Sequence, residues 1–325
     1  MYINGKVVAN WWVFNCIKVA SCLSFSADLL VRFTGLNLPP SKIASSNKKQ
    51  SSPAIISPDG ILHPKYASRK FGGGFYVLCW RKAVENLQKG AYKRVSAQLS
   101  YPPHLPDYVA HLLRLRVLQE FELLAQRLEY AVKHSKSLGL HGTILRRLTN
   151  EEWDTLKSTG VIPYPSAVAV LDIPPVDVDP ITNERPQPSM SALPPEDEDR
   201  PADAPPISVL MPTSTGFLKD PDGILPHAQV PLYNSKAAFP SRSQRAALNA
   251  ILTRILTAED TVRRLHIKWG KVQPFPTECN SPASTPSRTL LLCSDSSTAK
   301  RGDPAAIARA LWRLGMYESD GWSFS

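Results

Sequence analysis

"PDYVAHLLRLRVLQEFELLAQRLEYAVKHSKSLG", residues 106–139, sets Leu113, Val117, Leu124, Leu128 and Ala131 at helical steps, with Phe121 alongside them. Such spacing aligns the side chains on one stripe and predicts an amphipathic helix over 107–138, ending near Gly139. A stripe that long needs a surface to cover it, either the rest of this chain or another protein.

Working outward, "PSRSQRAALNAILTRILTAEDTVRRLHIKW", residues 240–269, predicts a second long helix. Ser241 and Gln244 stand at capping-box spacing, and Leu248, Ile251, Leu252, Ile255 and Leu256 share a face. "TNEEW" places Thr149 three residues before Glu152, the signature of a shorter helix that Gly160 stops. In "DPAAIARALWRLG", Asp303 is expected at the N-cap, Pro304 in the first turn and Gly315 just past the end. Phe75 to about Leu99 is also expected to be helical, with Gly90 interrupting it.

Strands are expected where short apolar runs meet prolines or polar turns. "SAVAVLDIPP" gives one over 166–173, "TLLLCSD" a buried one, and "PPISVLMP" another. "AQVPLYN" is expected at a sheet edge, because proline cannot donate to a ladder. The fold class implied is α+β: long amphipathic helices on a small mixed sheet, a C-terminal helix-strand-helix unit and long proline-rich loops.

Composition suggests the organisation. Residues 161–240 hold 17 of the 30 prolines, so that quarter of the chain is short strands joined by irregular connections. Residues 174–206, with the acidic cluster Glu196 to Asp199, have little to bury and are expected to be an exposed loop. Four segments follow: 1–58 a targeting leader or disordered, 59–160 basic and helical, 161–240 strands with the acidic insertion, and 241–325 helix-loop-strand-helix packing with 59–173.

The chain carries a formal net charge of +10, and the charge is uneven. Residues 1–150 are strongly basic, 151–232 acidic and 233–325 basic again. A cationic surface favours polyanions, because phosphate contacts release condensed counterions. Within 1–58, Asp28 is the one acidic residue, and "ASSNKKQSSP" adds serines and lysines. That composition suits a transit peptide, so a mitochondrial destination is expected, with the cytoplasm or the secretory pathway as alternatives. The apolar run "VVANWWVFNCI" is too short to span a bilayer, and no integral membrane span is expected. Five scattered cysteines imply no disulfide framework.

"SRKFGGGFYVLCWRK", residues 68–82, poses the functional question. Gly72, Gly73 and Gly74 lack the spacing and the terminal Lys-Ser/Thr of a phosphate loop. Around them Lys65, Arg69, Lys70, Arg81, Lys82, Lys89, Lys93 and Arg94 are interleaved with Tyr66, Phe71, Phe75, Tyr76, Trp80 and Tyr92. Cations bind phosphates and exposed rings stack on bases, so RNA or a ribonucleoprotein is the expected partner. Lys70, Arg81, Lys82, Lys93, Arg94, Phe75 and Tyr76 are the candidate contacts. The competing reading puts the aromatic rings in the core and leaves only the cations wet.

Two alternatives stand beside this one. The helix over 107–138 would serve a protein-interaction scaffold. An α/β enzyme would use "CSDSSTAKRGD", residues 293–303, where Asp295 is the base or metal ligand, Ser297 with Lys300 match Ser-x-x-Lys, and Lys300 with Arg301 neutralise an anion. No His-Glu-x-x-His, Cys-x-x-Cys, nucleophile elbow or dinucleotide fingerprint occurs, so no cofactor and no metal is implied. The leading expectation is therefore a non-enzymatic accessory or structural protein contacting RNA or a ribonucleoprotein in mitochondrial gene expression.

Overall fold

The computed structural model describes residues 27–37, 54–70, 72–134, 143–164, 166–176, 178, 184–193, 205–213, 229–268, 286–295, 298 and 302–319. The protein is α+β, with two mixed sheets and helices packed against them. The chain divides into two compact units, Met1–Arg116 with Trp312–Ser325, and Val117–Leu311, a division that runs elsewhere than the compositional boundaries at 58, 160 and 240.

The first unit holds a four-stranded sheet in the order β3-β1-β2-β4, from β1 (Leu30–Asn37), β2 (Ala54–Asp59), β3 (Phe75–Leu78) and β4 (Leu99–Ser100). β1 is antiparallel to both β2 and β3, and β2 is parallel to β4. Residues 30–37 and 54–58, expected to belong to a leader or a disordered segment, are strands that bury Val31, Phe33 and Ile56. Residues 1–26, with the apolar run, lie outside the described residues.

The helix expected from Phe75 is a strand instead. Phe75 and Val77 are buried while Tyr76 and Leu78 are only half-buried, a two-residue alternation that a sheet satisfies and a helix does not. Helix α1 (Arg81–Asn86) follows, and then two 3-10 turns, Leu87–Lys89 and Ala91–Arg94, separated by Gly90 at φ +96°. Only glycine takes that left-handed conformation without strain, so the break falls where the sequence places Gly90.

The second unit holds a five-stranded sheet in the order β5-β9-β6-β8-β7. Its strands are β5 (Leu145–Thr149), β6 (Ala167–Asp172), β7 (Ser208–Pro212), β8 (Gln229–Asn234) and β9 (Pro286–Cys293). β9, the "TLLLC" run, lies between β5 and β6, and both faces of its second half are buried. β8, expected at an edge, is interior, between β6 and β7. The fold tolerates Pro231 because the ladder to β6 starts at Leu232, one residue past the position that has no N–H to give.

Helix α2 (Leu105–His134) realises the long stripe, and Leu113, Val117, Phe121, Leu124, Leu128 and Ala131 are all buried within the chain. Its expected end near Gly139 lies outside the described residues. Helix α3 (Asn150–Thr159) has both halves of the capping box between Thr149 and Glu152, and Gly160 closes it in the left-handed conformation. Leu156 of α3 packs with Leu148, Val170, Leu291 and Cys293 in one apolar cluster of the sheet.

After α4 (Ser235–Ala238), helix α5 (Arg242–Lys268) buries Leu248, Ile251, Leu252 and Ile255. Only half of its expected capping box forms. Ser241 Oγ accepts from the Gln244 backbone N–H at 3.5 Å, whereas Gln244 Nε2 donates to the Met190 carbonyl at 2.9 Å. Glu259 on α5 accepts from the backbone N–H groups of Ile144 (2.8 Å) and Leu145 (3.2 Å), which fixes the start of β5. Helix α6 (Asp303–Glu318) begins one residue earlier than expected, with Asp303 in its first turn and the carbonyl of Gly302, not of Asp303, accepting from the Ala306 N–H, and it runs through Gly315, which is buried inside it. The residue with positive φ is Gly302, ahead of the helix. The acidic cluster at 196–199 lies outside the described residues, and 184–193 between strands β6 and β7 are exposed or half-buried. No described helix is long and apolar enough to cross a membrane.

Candidate nucleic-acid interface

Two segments of the first unit carry the cations that the sequence singles out. The first is the connection from β2 to β3. Asp59 closes β2 and accepts from Arg32 Nη1 (2.7 Å) and from the Lys70 backbone N–H (3.1 Å). Arg32 also donates to the carbonyls of Lys70 (2.9 Å) and Gly72 (2.7 Å). The backbone of the loop is thus pinned while the side chains of Lys65, Arg69 and Lys70 stay exposed. Tyr66 is 40% exposed and stands edge-on to His63. Phe71 lies outside the described residues.

The glycines of this loop do three different things. Gly74 passes so close to β1 that a Cβ there would sit 2.8 Å from the Phe33 carbonyl oxygen. Gly72 has φ +118° with open space around it, and Gly73 has neither constraint. This is a loop closing against a strand, and no helix of the chain starts at its end, so the arrangement is not a phosphate cradle.

Several expected contacts are committed elsewhere. Phe75 is buried and stacks on Phe33 with ring centroids 5.6 Å apart, so its face is not presented to a base. Tyr76 is half-buried. Arg81 donates to Asp107 Oδ1 (2.7 Å) and Glu318 Oε1 (3.0 Å), and Glu318 also receives Arg114 at 2.9 Å. Burial works against the charge of Arg81, but Glu318 and Asp107 more than offset it and hold its pKa above the ordinary value. Arg81 is therefore a structural cation. Trp80 donates to the Ser319 carbonyl at 3.3 Å, and the Lys82 ammonium lies 6.0 Å from the Trp80 ring.

The second segment is the pair of 3-10 turns. Leu87 and Tyr92 point inward, where Tyr92 lies 6.2 Å from Tyr101. Lys89, Lys93 and Arg94 point outward, and none has an ion-pair partner among the described residues. The Gly90 N–H bonds to the Leu87 carbonyl and the Lys93 N–H to the Gly90 carbonyl, so the three cations project from one hydrogen-bonded double turn. Lys89 belongs to the basic run in the sequence but was not among the candidate contacts, although it lies four and five residues from Lys93 and Arg94. Val95, next in the chain, is 52% exposed.

The enzymatic alternative is only partly in view. Asp295 and Thr298 form a closed local motif: the Asp295 N–H donates to Thr298 Oγ1 (2.8 Å), and the Thr298 N–H donates to Asp295 Oδ1 (2.8 Å). The Asp295 carboxylate thus holds the turn after β9. Ser297, Lys300 and Arg301 lie outside the described residues. No group of His, Cys, Asp or Glu among the described residues is arranged to hold a metal ion.

Comparison with protein-family models, with curated proteins and with solved structures returned no match to this chain.

Proposed function

We propose that the protein is a non-enzymatic accessory or structural component that contacts RNA or a ribonucleoprotein through its phosphates. One observation carries this reading: Lys89, Lys93 and Arg94 project from one double turn, exposed and without an acidic partner among the described residues. Lys82 precedes them on α1, and Arg69 and Lys70 add exposed cations from the β2–β3 connection. Phe75 is packed inside, so the contact is with backbone phosphates more than with stacked bases. Residues 1–26, which precede β1 and carry Lys6 and Lys18 with no acidic residue, support a place in mitochondrial gene expression.

Binding of the full chain to a labelled single-stranded RNA, titrated at several salt concentrations, tests this. Affinity is expected to fall linearly on a log-log plot, with about 0.7 of slope per phosphate contact. Reversing Lys89, Lys93 and Arg94 together to Glu is expected to flatten the slope by about 2 on the same relation. An unchanged slope and affinity in that variant would overturn the assignment. Imaging a fusion tagged at the C-terminus checks the compartment, and signal in the secretory pathway removes the mitochondrial reading.

A further inference from the structure

We propose that Ser96 is a phosphoacceptor for a serine/threonine kinase that reads basic residues, and that its phosphate switches off the basic double turn. The regulatory part rests on the polyanion contact proposed above; the phosphoacceptor assignment does not.

Two stretches of the described residues carry two adjacent cations two and three positions ahead of a hydroxyl: Lys93-Arg94-Val95-Ser96 and Arg146-Arg147-Leu148-Thr149. Kinase clefts lined with carboxylates select substrates by such charge patterns. The structure separates the two. Arg146 pairs with Glu152, Leu148 is fully buried in β5, and Thr149 Oγ1 is occupied by the N–H of Glu152 as the cap of α3. A kinase would have to dismantle a strand and a helix cap to reach Thr149.

At Ser96 every element of the pattern is available. Lys93, Arg94, Val95, Ala97 and Gln98 are exposed, and the two cations have no ion-pair partner among the described residues. Ser96 is half-buried and lies in the turn that joins the second 3-10 segment to β4, where the Leu99 N–H donates to the Ser96 carbonyl at 3.2 Å. Its Oγ accepts weakly from the Gln98 N–H at 3.3 Å, and the hydroxyl proton has no acceptor among the described residues. Tyr92, four residues upstream, is the nearest buried anchor on that side, so 93–98 can be drawn into a cleft while the sheet stays intact.

In the reaction Ser96 Oγ attacks the γ-phosphorus of ATP, the bond to ADP breaks, and the serine proton passes to the carboxylate base of the kinase. The product carries a charge of about −1.5 to −2 with three acceptor oxygens. Lys93 and Arg94, three and two residues ahead in sequence, would turn toward that phosphate, which withdraws them from an external polyanion.

The test incubates the full chain with ATP and a purified arginine-directed serine/threonine kinase, and maps phosphate by tandem mass spectrometry. Phosphate on Ser96 is expected, absent in Ser96→Ala and slowed by more than about tenfold in Lys93→Glu/Arg94→Glu, since like charge set against an acidic cleft strongly disfavours binding. Ser96 unlabelled in the full chain, while the same kinase labels a synthetic peptide of residues 90–100, would overturn the assignment, as would labelling of Thr149 in its place. RNA binding of the phosphorylated and unmodified chains is then compared at one salt concentration. Phosphorylation is expected to weaken binding about tenfold, equivalent to one or two lost phosphate contacts. Equal affinities would overturn the switch. If the unmodified chain does not bind RNA, the switch falls with the proposed function, and the mass spectra alone decide Ser96.

Discussion

The Arg32 guanidinium lies 2.7 Å from the Asp59 carboxylate, and both side chains are nearly removed from solvent, at 12% and 4% exposure. The pair joins adjacent strands, because Arg32 on β1 is directly opposite Asp59 on β2. The same two side chains hold the connection to β3 through Lys70 and Gly72.

Asp59→Ala leaves the Arg32 charge buried and the Lys70 N–H without its acceptor. Loss of about 3 kcal/mol is expected, within the range for breaking one side of a buried pair. Asp59→Asn keeps an acceptor for Lys70 and is expected to lose less. Urea denaturation of the two variants beside the parent gives the order; equal midpoints for all three would contradict it.

The three consecutive glycines provide a second test, because identical substitutions meet different surroundings. Gly74→Ala drives a Cβ to 2.8 Å from the Phe33 carbonyl oxygen, a backbone atom that cannot step aside, and is expected to cost about 1–3 kcal/mol. Gly72→Ala meets open space but must hold φ near +118°, at an expected cost of about 1 kcal/mol. Gly73→Ala has neither problem and is expected to fall within about 0.5 kcal/mol of the parent. The order of the three denaturation midpoints is the measurement.

Local patterns were the legible part of the fold. The stripe of α2, the Thr149–Glu152 box and the apolar run of β9 each depend on residues a few positions apart, and each has a single physical solution. β3 was hidden because four residues are too few to display a period, and the flanking aromatic and basic residues also fit a helix. β1 and β2 were hidden by composition: serines and lysines between them gave the whole segment the look of a leader. Pro231 misled for a related reason, since whether a strand is interior depends on where its ladders begin and not on its own residues.

The candidate site was legible as charge but not as pairing. Arg81 looks like any other cation of 65–94 in the sequence, yet its partners lie 26 and 237 residues away. Phe75 finds its stacking partner at Phe33, on a strand that composition had assigned elsewhere. Lys89, Lys93 and Arg94 remain outward because Leu87 and Tyr92 take the inward positions of the same turns.

Arg254 on α5 carries a pH prediction. Its guanidinium reaches Glu122 Oε2 and Glu129 Oε1, each at 2.7 Å, both on α2. The hydrogen bond from Arg254 is the main cause that lowers the Glu129 pKa, with its charge and that of Lys133 adding and slight burial opposing. A carboxyl group that binds its proton less readily when folded contributes stability in full above its unfolded pKa, about 4.3. That contribution disappears as pH falls through the lower folded value. Glu129 is 44% exposed, so solvent limits the Glu129 pair to below about 1 kcal/mol. In Arg254→Met, the Glu129 titration followed by carboxyl-carbon NMR is expected to return to the ordinary range. A titration that does not move would show that Arg254 is not its cause.

Cys79 and Cys293 give a chemical probe of each unit separately. Burial raises the pKa of both thiols. For Cys79 the charge and hydrogen bond of Arg313 partly counter it. For Cys293 burial is reinforced by Glu259 and Asp295, opposed by Ser166 and Arg146, and the thiol is pushed up to about 11. Because the thiolate is the nucleophile and a thiol at that value is only about one part in a thousand ionised at pH 8, reaction is slow, and burial blocks the approach as well. Iodoacetamide at pH 8 is therefore expected to leave both unmodified in the native chain, and to alkylate both once denaturant returns them to about 8.5. Peptide mapping resolves the two cysteines, so the denaturant concentration at which each becomes labelled measures the opening of its own unit. Alkylation of Cys293 within minutes in the absence of denaturant would contradict the burial of β9 on which the second sheet is built.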